Sequence, residues 1–408
     1  MRPNSLLILK IACLASLLAF LAFLILHGRP RQQVSYPDYS DLMQYDPARE
    51  GGHLLPSKNL LVAGERIGRP VRWQTNSKGF RNAQEFPRGI SPGICRIMFL
   101  GDSFVDGMRT DQKDTIGFLL EEKLQVAWPD KKIEVMISGH NNPTNAWYYF
   151  QEIGHNYHPR VLILGITLGN DLTWYNYGRG LLPYKSEDGS TRLKIPRGSL
   201  RQAANHNMKL FLPMNAYKPP TSGDNLLDRE MKIRYFLAER FYVFSQEVPP
   251  SLGPMGMERR RVAAGDFCGS LGLFYQPVMS EVEQMYTDFE KTLEGIRHLT
   301  DQNGTELLIV LFPVRFQVSE KDWTLLEKKY SLDKRKFDLN HPNRRIMDYC
   351  EKEKMHCLDL LPAFKKTHAG NHRSLFRSRG DMHFNEAGQR LAAEELAAYA
   401  EKNFTSGQ

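Results

Sequence analysis

A hydroxyl and an imidazole stand near opposite ends of this 408-residue sequence, each beside an apolar run. Ser103 lies in "RIMFLGDSFVDGM" (Arg96–Met108), where IMFL breaks into Gly-Asp-Ser. His383 lies in "GDMHFNEAG" (Gly380–Gly388), two residues after Asp381. A serine hydroxyl is a poor nucleophile until a base takes its proton. His383 can be that base through one ring nitrogen, and Asp381 can fix the tautomer through the other. Attack on an ester carbonyl creates an oxyanion, which needs donors already in place. The backbone N–H groups of Ser103 and Gly139 and the side-chain amide of Asn170 are the available donors. The chemistry these types allow is acyl transfer through an acyl-serine.

Such chemistry needs elements that bring distant residues together. From Cys95 the pattern alternates between strand and helix. "CRIMFLG", "KIEVMISG" (Lys132–Gly139), "RVLILGITLGND" (Arg160–Asp171), "TELLIVLFP" (Thr305–Pro313) and "MHCLDL" (Met355–Leu360) read as strands. "TIGFLLEEKLQVAW" (Thr115–Trp128), "AWYYFQEIGHNY" (Ala146–Tyr157), Glu281–Gly304 and Glu386–Asn403 read as helices. Nearly continuous apolar strands separated by helices predict a parallel sheet covered on both faces. Ligands of open α/β sheets sit beyond the carboxyl ends of the strands. There the first three strands deliver Ser103, Gly139 and Asn170, and the loop before the last helix adds Asp381 and His383.

Three regions fall outside that rhythm. Ser5–Gly28 is apolar except for Lys10 and long enough for a bilayer, which takes ~20 residues. It predicts a membrane anchor over residues 1–28 with the body exported, the competing reading being a removed signal peptide. Residues 29–90 read as a tether and strap, within which "WQTNSKGFRN" (Trp73–Asn82) suits a turn with positive φ at Gly79 and an inward Phe80. The body is expected over 91–404, with an insertion at about 175–280. Within the insertion, 175–225 reads as loop, Asn225–Gln246 as helix, and Pro249–Met257 as a flexible connection.

A chain that is 41% hydrophobic and 25% charged is globular rather than disordered. The net charge of +8 would suit an anionic membrane surface or acidic glycans, and no stripe of Arg and aromatic residues favours nucleic acid. "ERRR" (Glu258–Arg261) and "DKRK" (Asp333–Lys336) read as solvated faces. Five cysteines include no C-x-x-C, so neither a zinc site nor another metal or cofactor is expected. Cys350 and Cys357 are either bridged or a pair of reduced thiols.

Gly-Asp-Ser after the first strand, a glycine after the second, "LGND" after the third and Asp-x-His near the C-terminus resemble the four blocks of SGNH (GDSL-type) hydrolases, in that family's order. The resemblance covers residues ~70–404, with ~175–280 unmatched. Asn76–Arg81 also resembles the leader of membrane-anchored bacterial members. The family implies a three-layer α/β/α sandwich on a parallel, five-stranded, flavodoxin-like sheet, and ester hydrolysis. By position it makes Ser103 the nucleophile, Ser103, Gly139 and Asn170 the oxyanion donors, His383 the base and Asp381 its orienter. Many members space the last pair as Asp-x-x-His. The second block, "SGHNNPTN", is degenerate, and His140 is a rival to Gly139 there.

Asp102 and Asp171 read as loop-holding carboxylates, and Asp102 with Asp106 as a remote glycosidase pair. Asp359 is expected to brace the site from below, and Arg81 either to cap the sheet edge or to meet an anionic group. The expected activity is an esterase removing an O-acyl group from a carbohydrate or lipid. An O-acyltransferase for cell-surface polysaccharide and a non-catalytic envelope scaffold are the alternatives. Polysaccharide-acetylating relatives place Asp-x-His before the Ser; here the Ser comes first, which favours the hydrolase.

Overall fold

The computed structural model describes residues 55–62, 71–139, 142–169, 171–172, 182–185, 191–194, 270–278, 280–330, 332–371, 374–377 and 382–404. The expected anchor over 1–28, the tether up to residue 54, the Asn225–Gln246 helix, the Pro249–Met257 connection and the Glu258–Arg261 cluster lie outside them. Among the described residues no helix is long and apolar enough to cross a membrane.

Nine short strands are described: β1 Asn59–Val62, β2 Val71–Gln74, β3 Ile94–Leu100, β4 Lys132–Ser138, β5 Val161–Thr167, β6 Leu182–Lys185, β7 Thr191–Lys194, β8 Glu306–Phe312 and β9 His356–Asp359. Five of them form one sheet in the order β4-β3-β5-β8-β9. Every pairing in it is parallel. The chain starts this sheet at β3, steps outward to β4, then crosses back to β5 on the other side. That reversal is the flavodoxin-like order, and it opens a crevice between the carboxyl ends of β3 and β5.

The longer helices are α1 Ile116–Ala127, α2 Pro143–Glu152, α3 Ser280–Gln302, α4 Glu320–Tyr330, α5 His341–Lys352, α6 Leu361–Asn371 and α7 Glu386–Asn403. Alternate residues of each strand serve opposite faces. Ile97, Phe99, Val135, Ile137, Ile163, Val310 and Phe312 pack under α1, α6 and α7. Met98, Leu100, Met136, Leu162, Leu164, Ile309 and Leu311 pack under α2, α3 and α5. Three layers result, as the sequence predicts.

The described part of the strap comprises residues 55–62 and 71–90. β1 and β2 form an antiparallel hairpin. Beyond it the Asn76 carboxamide oxygen accepts from the N–H groups of Lys78 and Phe80. Gly79 takes φ +93°, the left-handed conformation the turn requires. Phe80 is fully buried and packs edge-on against Phe86 and Tyr157. The next residues line the free edge of β4. Arg81 donates its N–H to the Ile137 carbonyl, and the Asn82 carboxamide both accepts from Ile137 N–H and donates to the Val135 carbonyl. An edge strand covered in this way is closed to pairing with another chain.

Two expectations need correction. The loop expected over 175–225 holds an antiparallel hairpin, β6 with β7; Asp188-Gly189 between the two runs is the signal for it. The second helix starts at Pro143, earlier than Ala146, because Asn142 caps it by accepting from Asn145 N–H. It ends at Glu152, and Gly154–Tyr157 is a separate 3-10 turn.

One buried ion pair crosses the sheet away from the crevice. Arg96 and Glu134 stand opposite each other on β3 and β4. The guanidinium donates twice to one Glu134 oxygen and also to the carbonyls of Pro87 and Tyr157. Removing one member leaves an uncompensated buried charge, which costs about 3–5 kcal/mol. Glu134→Leu should therefore lower the unfolding free energy by about that amount in urea titration; a loss under ~1 kcal/mol would contradict this role.

Candidate active site

Ser103 rises from a tight turn at the carboxyl end of β3. The Asp102 carboxylate accepts from Phe104 N–H, and its carbonyl accepts from the N–H groups of Val105 and Asp106. The Ser103 carbonyl accepts from Met108 N–H, closing the turn. A Cβ on Gly101 would lie 2.4 Å from the Val105 side chain and 2.9 Å from the Gly165 carbonyl oxygen. Only glycine lets the chain fold back on β5 there, with Val105 seated between Gly101 and Gly165.

His383 is delivered by a second pinned loop. Phe376 and Phe384 form an antiparallel bridge, and Arg377 N–H donates to the His383 carbonyl. Asn385 caps α7 by accepting from the N–H groups of Ala387 and Gly388, while its amide donates to the carbonyls of Ser374 and Phe376. Phe384 is fully buried among Phe104, Phe312, Phe364 and Phe376. That burial holds the neighbouring His383 at the site. Its ring lies 5.0 Å from the Phe104 ring. Helix α7 is in turn tied to α1, whose first N–H, on Ile116, donates to the buried Gln389 carboxamide.

These two loops bring the Ser103 Oγ to 2.7 Å from the His383 Nε2 across 280 residues of sequence. With Nε2 unprotonated, the hydroxyl donates and the imidazole is placed to take its proton.

The other expected site residues divide. Gly139 is buried directly after β4, one residue past the paired Leu100 and Ser138. A Cβ on it would fall 1.9–2.3 Å from the three Asp106 carboxyl atoms, so that carboxyl lies against the glycine. Asn170, Asp381 and His140 lie outside the described residues. At the end of β5 the Asp171 carboxylate accepts from Thr167 N–H and Asp171 N–H donates to the Thr167 carbonyl. A Cβ on Gly169 would stand 3.3 Å from the Met382 methyl, so the third-strand loop adjoins the histidine loop.

Several supporting residues also have their places. Asp102 and Asp171 hold backbone N–H groups, as expected. Asp359 accepts from Leu361 N–H at the start of α6 and from the Asn343 amide. Burial pushes its carboxyl up from the usual carboxylate range, while those two donors pull it down. Arg81 caps the sheet edge, its fully buried guanidinium donating to the carbonyls of Gly107 and Thr110. Cys350 and Cys357 are free thiols. A hydrogen bond between them, and then burial, push the Cys357 thiol well above its ordinary value.

Residues 273–408 match the family described as SGNH hydrolase-like domain, acetyltransferase AlgX. That stretch, about a third of the chain, is similar to an SGNH hydrolase-like domain. The matched stretch contains Asp381 and His383, whereas Ser103 precedes it. Comparison with curated proteins gives no match. Among solved structures, the acetyl xylan esterase AlAXEase is similar at 14% identity, over 74% of this chain and 98% of its own, with a TM-score of 0.37. A catalytic mutant of Axe2, an acetylxylan esterase from Geobacillus stearothermophilus, is similar at 11% identity, over 78% and 99%, with a TM-score of 0.39.

Thr110 and Arg377 are not apparent from the sequence as parts of the site. Neither carries a motif signal, and their contacts exist only once the loops meet. The turn itself is directly testable. Gly101→Ala forces its new methyl into Val105 and the β5 backbone, an overpacking that costs about 1–3 kcal/mol. A lowered midpoint of chemical denaturation is expected, and an unchanged midpoint would contradict the close approach.

Proposed function

We propose that the protein is a serine esterase that removes an O-acyl group, acetyl being the smallest case, from a carbohydrate or lipid. The observation that carries this reading is the 2.7 Å approach of the Ser103 Oγ to the His383 Nε2 at the carboxyl ends of β3 and β5. The Ser103 oxygen attacks the ester carbonyl carbon while His383 takes the hydroxyl proton. The resulting oxyanion is held by the N–H groups of Ser103 and Gly139 and by the Asn170 amide. Collapse breaks the ester C–O bond, and His383 returns its proton to the departing alcohol. Water, deprotonated by His383, then attacks the acyl-serine and releases the acid. Asp381 orients the imidazole throughout. Residues 1–28 anchor the chain, and the body works in the exported compartment.

A second reading keeps the same acyl-serine and gives the acyl group to a sugar hydroxyl instead of water. The acetyltransferase in the description of the family matched by residues 273–408 favours it. The order of the blocks, serine before Asp-x-His, favours hydrolysis.

The test is p-nitrophenyl acetate turnover by the full chain and by Ser103→Ala, with and without an acetylatable oligosaccharide. Loss of a triad member leaves only the weak background supplied by the rest of the site. Ser103-dependent release of acetate to water is expected. Equal turnover by the two proteins would defeat the acyl-serine reading, and acetate appearing on the sugar would turn the assignment to transferase.

A further inference from the structure

We propose that Arg81, Thr110 and Arg377 form a clamp that sets the distance between Ser103 and His383, acting as positioning residues for the reaction proposed above, on which this inference rests. Each link is a specific bond. The Arg81 guanidinium is fully buried, with its central carbon 3.7 Å from the centre of the Trp73 ring. One of its terminal nitrogens donates to the Gly107 carbonyl at 2.9 Å and the other to the Thr110 carbonyl at 2.7 Å. Both carbonyls belong to the loop that continues from the Ser103 turn.

Thr110 is the hub. It is fully buried, and its N–H closes on the Gly107 carbonyl. Its hydroxyl accepts from an Arg377 terminal nitrogen at 2.9 Å. The Arg377 backbone N–H donates to the His383 carbonyl at 2.9 Å. The Arg377 carbonyl is itself held by Arg315, which is paired with Asp322. The same Arg377 nitrogen lies 3.5 Å from Glu386 at the start of α7. A continuous path of hydrogen bonds thus runs from the strap, through the loop after the nucleophile, to the backbone of the base.

The residue types fit this task. A planar guanidinium addresses two carbonyls in fixed directions, which an ammonium on a flexible stem does not. The three residues come from the strap, the loop after β3 and the loop before α7. No covalent neighbour relation therefore holds them together. The strap that covers the sheet edge also braces the site.

Thr110→Val keeps volume and removes only the hydroxyl that accepts from Arg377. A displacement of ~1 Å at reacting groups can cost up to ~10² in rate. Thr110→Val should lower kcat for p-nitrophenyl acetate by about ten- to a hundredfold with KM within about twofold, the split expected when transition-state geometry is lost. Thr110→Ser should recover most of that loss, because the hydroxyl returns. Arg377→Gln, which keeps the backbone bond and removes the guanidinium, should show the same split. All rates are read at a temperature where circular dichroism shows each variant folded. A Thr110→Val or Arg377→Gln kcat within about twofold of the parent would overturn the clamp, as would a loss that Thr110→Ser does not recover. If the parent itself shows no Ser103-dependent turnover, the esterase reading fails first and the clamp falls with it.

Discussion

The hydrogen bond between the Ser103 Oγ and the His383 Nε2 joins two loops separated by 280 residues. Its own net contribution to stability is small, about 0.5–1.5 kcal/mol for an ordinary pair. It cannot hold the two ends of the chain together, so the surrounding architecture must hold it. Two kinds of packing do so. Glycines at 101 and 165 let Val105 sink between β3 and β5, which fixes the turn. Phe384, locked among four other phenylalanines, fixes the histidine loop. The sheet order supplies the crevice, since β3 is flanked by β4 on one side and by β5 on the other. Each support is apolar or close-packed, and the polar pair sits at its rim.

A buried strand ends in a polar turn here because its burial stops at its carboxyl end. β3 is an interior strand with neighbours on both sides, so its residues Ile97–Leu100 face cores on both faces. Its carboxyl end is where the cores stop. There the backbone groups no longer paired in the ladder are taken up by Asp102, which uses its carboxylate and carbonyl to close the turn. The same logic recurs at the end of β5 with Asp171 and at the end of β9 with Asp359. Carboxylates at the strand ends hold backbone N–H groups, and the hydroxyl and the imidazole are bonded to each other instead.

Much of the sheet was legible because parallel strands covered on both faces must be almost continuously apolar. "KIEVMIS", "VLILGIT" and "ELLIVLF" are strands where that rule places them. The turn at Gly79 and the inward Phe80 were legible for a related reason, since few residues besides glycine accept a positive φ. Helices α4, α5 and α6 were passed over in the sequence. They are short and polar on their outer faces, and tertiary packing supplies much of their stability. The β6–β7 pair reads as loop in the sequence, since four-residue strands show few alternations even with Asp188-Gly189 between them. Arg96 and Glu134 carry charges inside strand patterns and are explained only by register. For the site, residue types and strand ends led to Ser103 and His383. Thr110 and Arg377 were beyond reach, because a hydrogen bond across 267 residues leaves no local mark.

The central claim is that His383 activates Ser103, and a serine-reactive fluorophosphonate tests it most directly. The full chain and its His383→Ala variant would be treated with the probe and the modified residue located by peptide mass spectrometry. The account predicts one modified residue, Ser103, in the parent and almost no labelling in the variant. Labelling elsewhere, or at Ser103 with equal speed in both proteins, would contradict it.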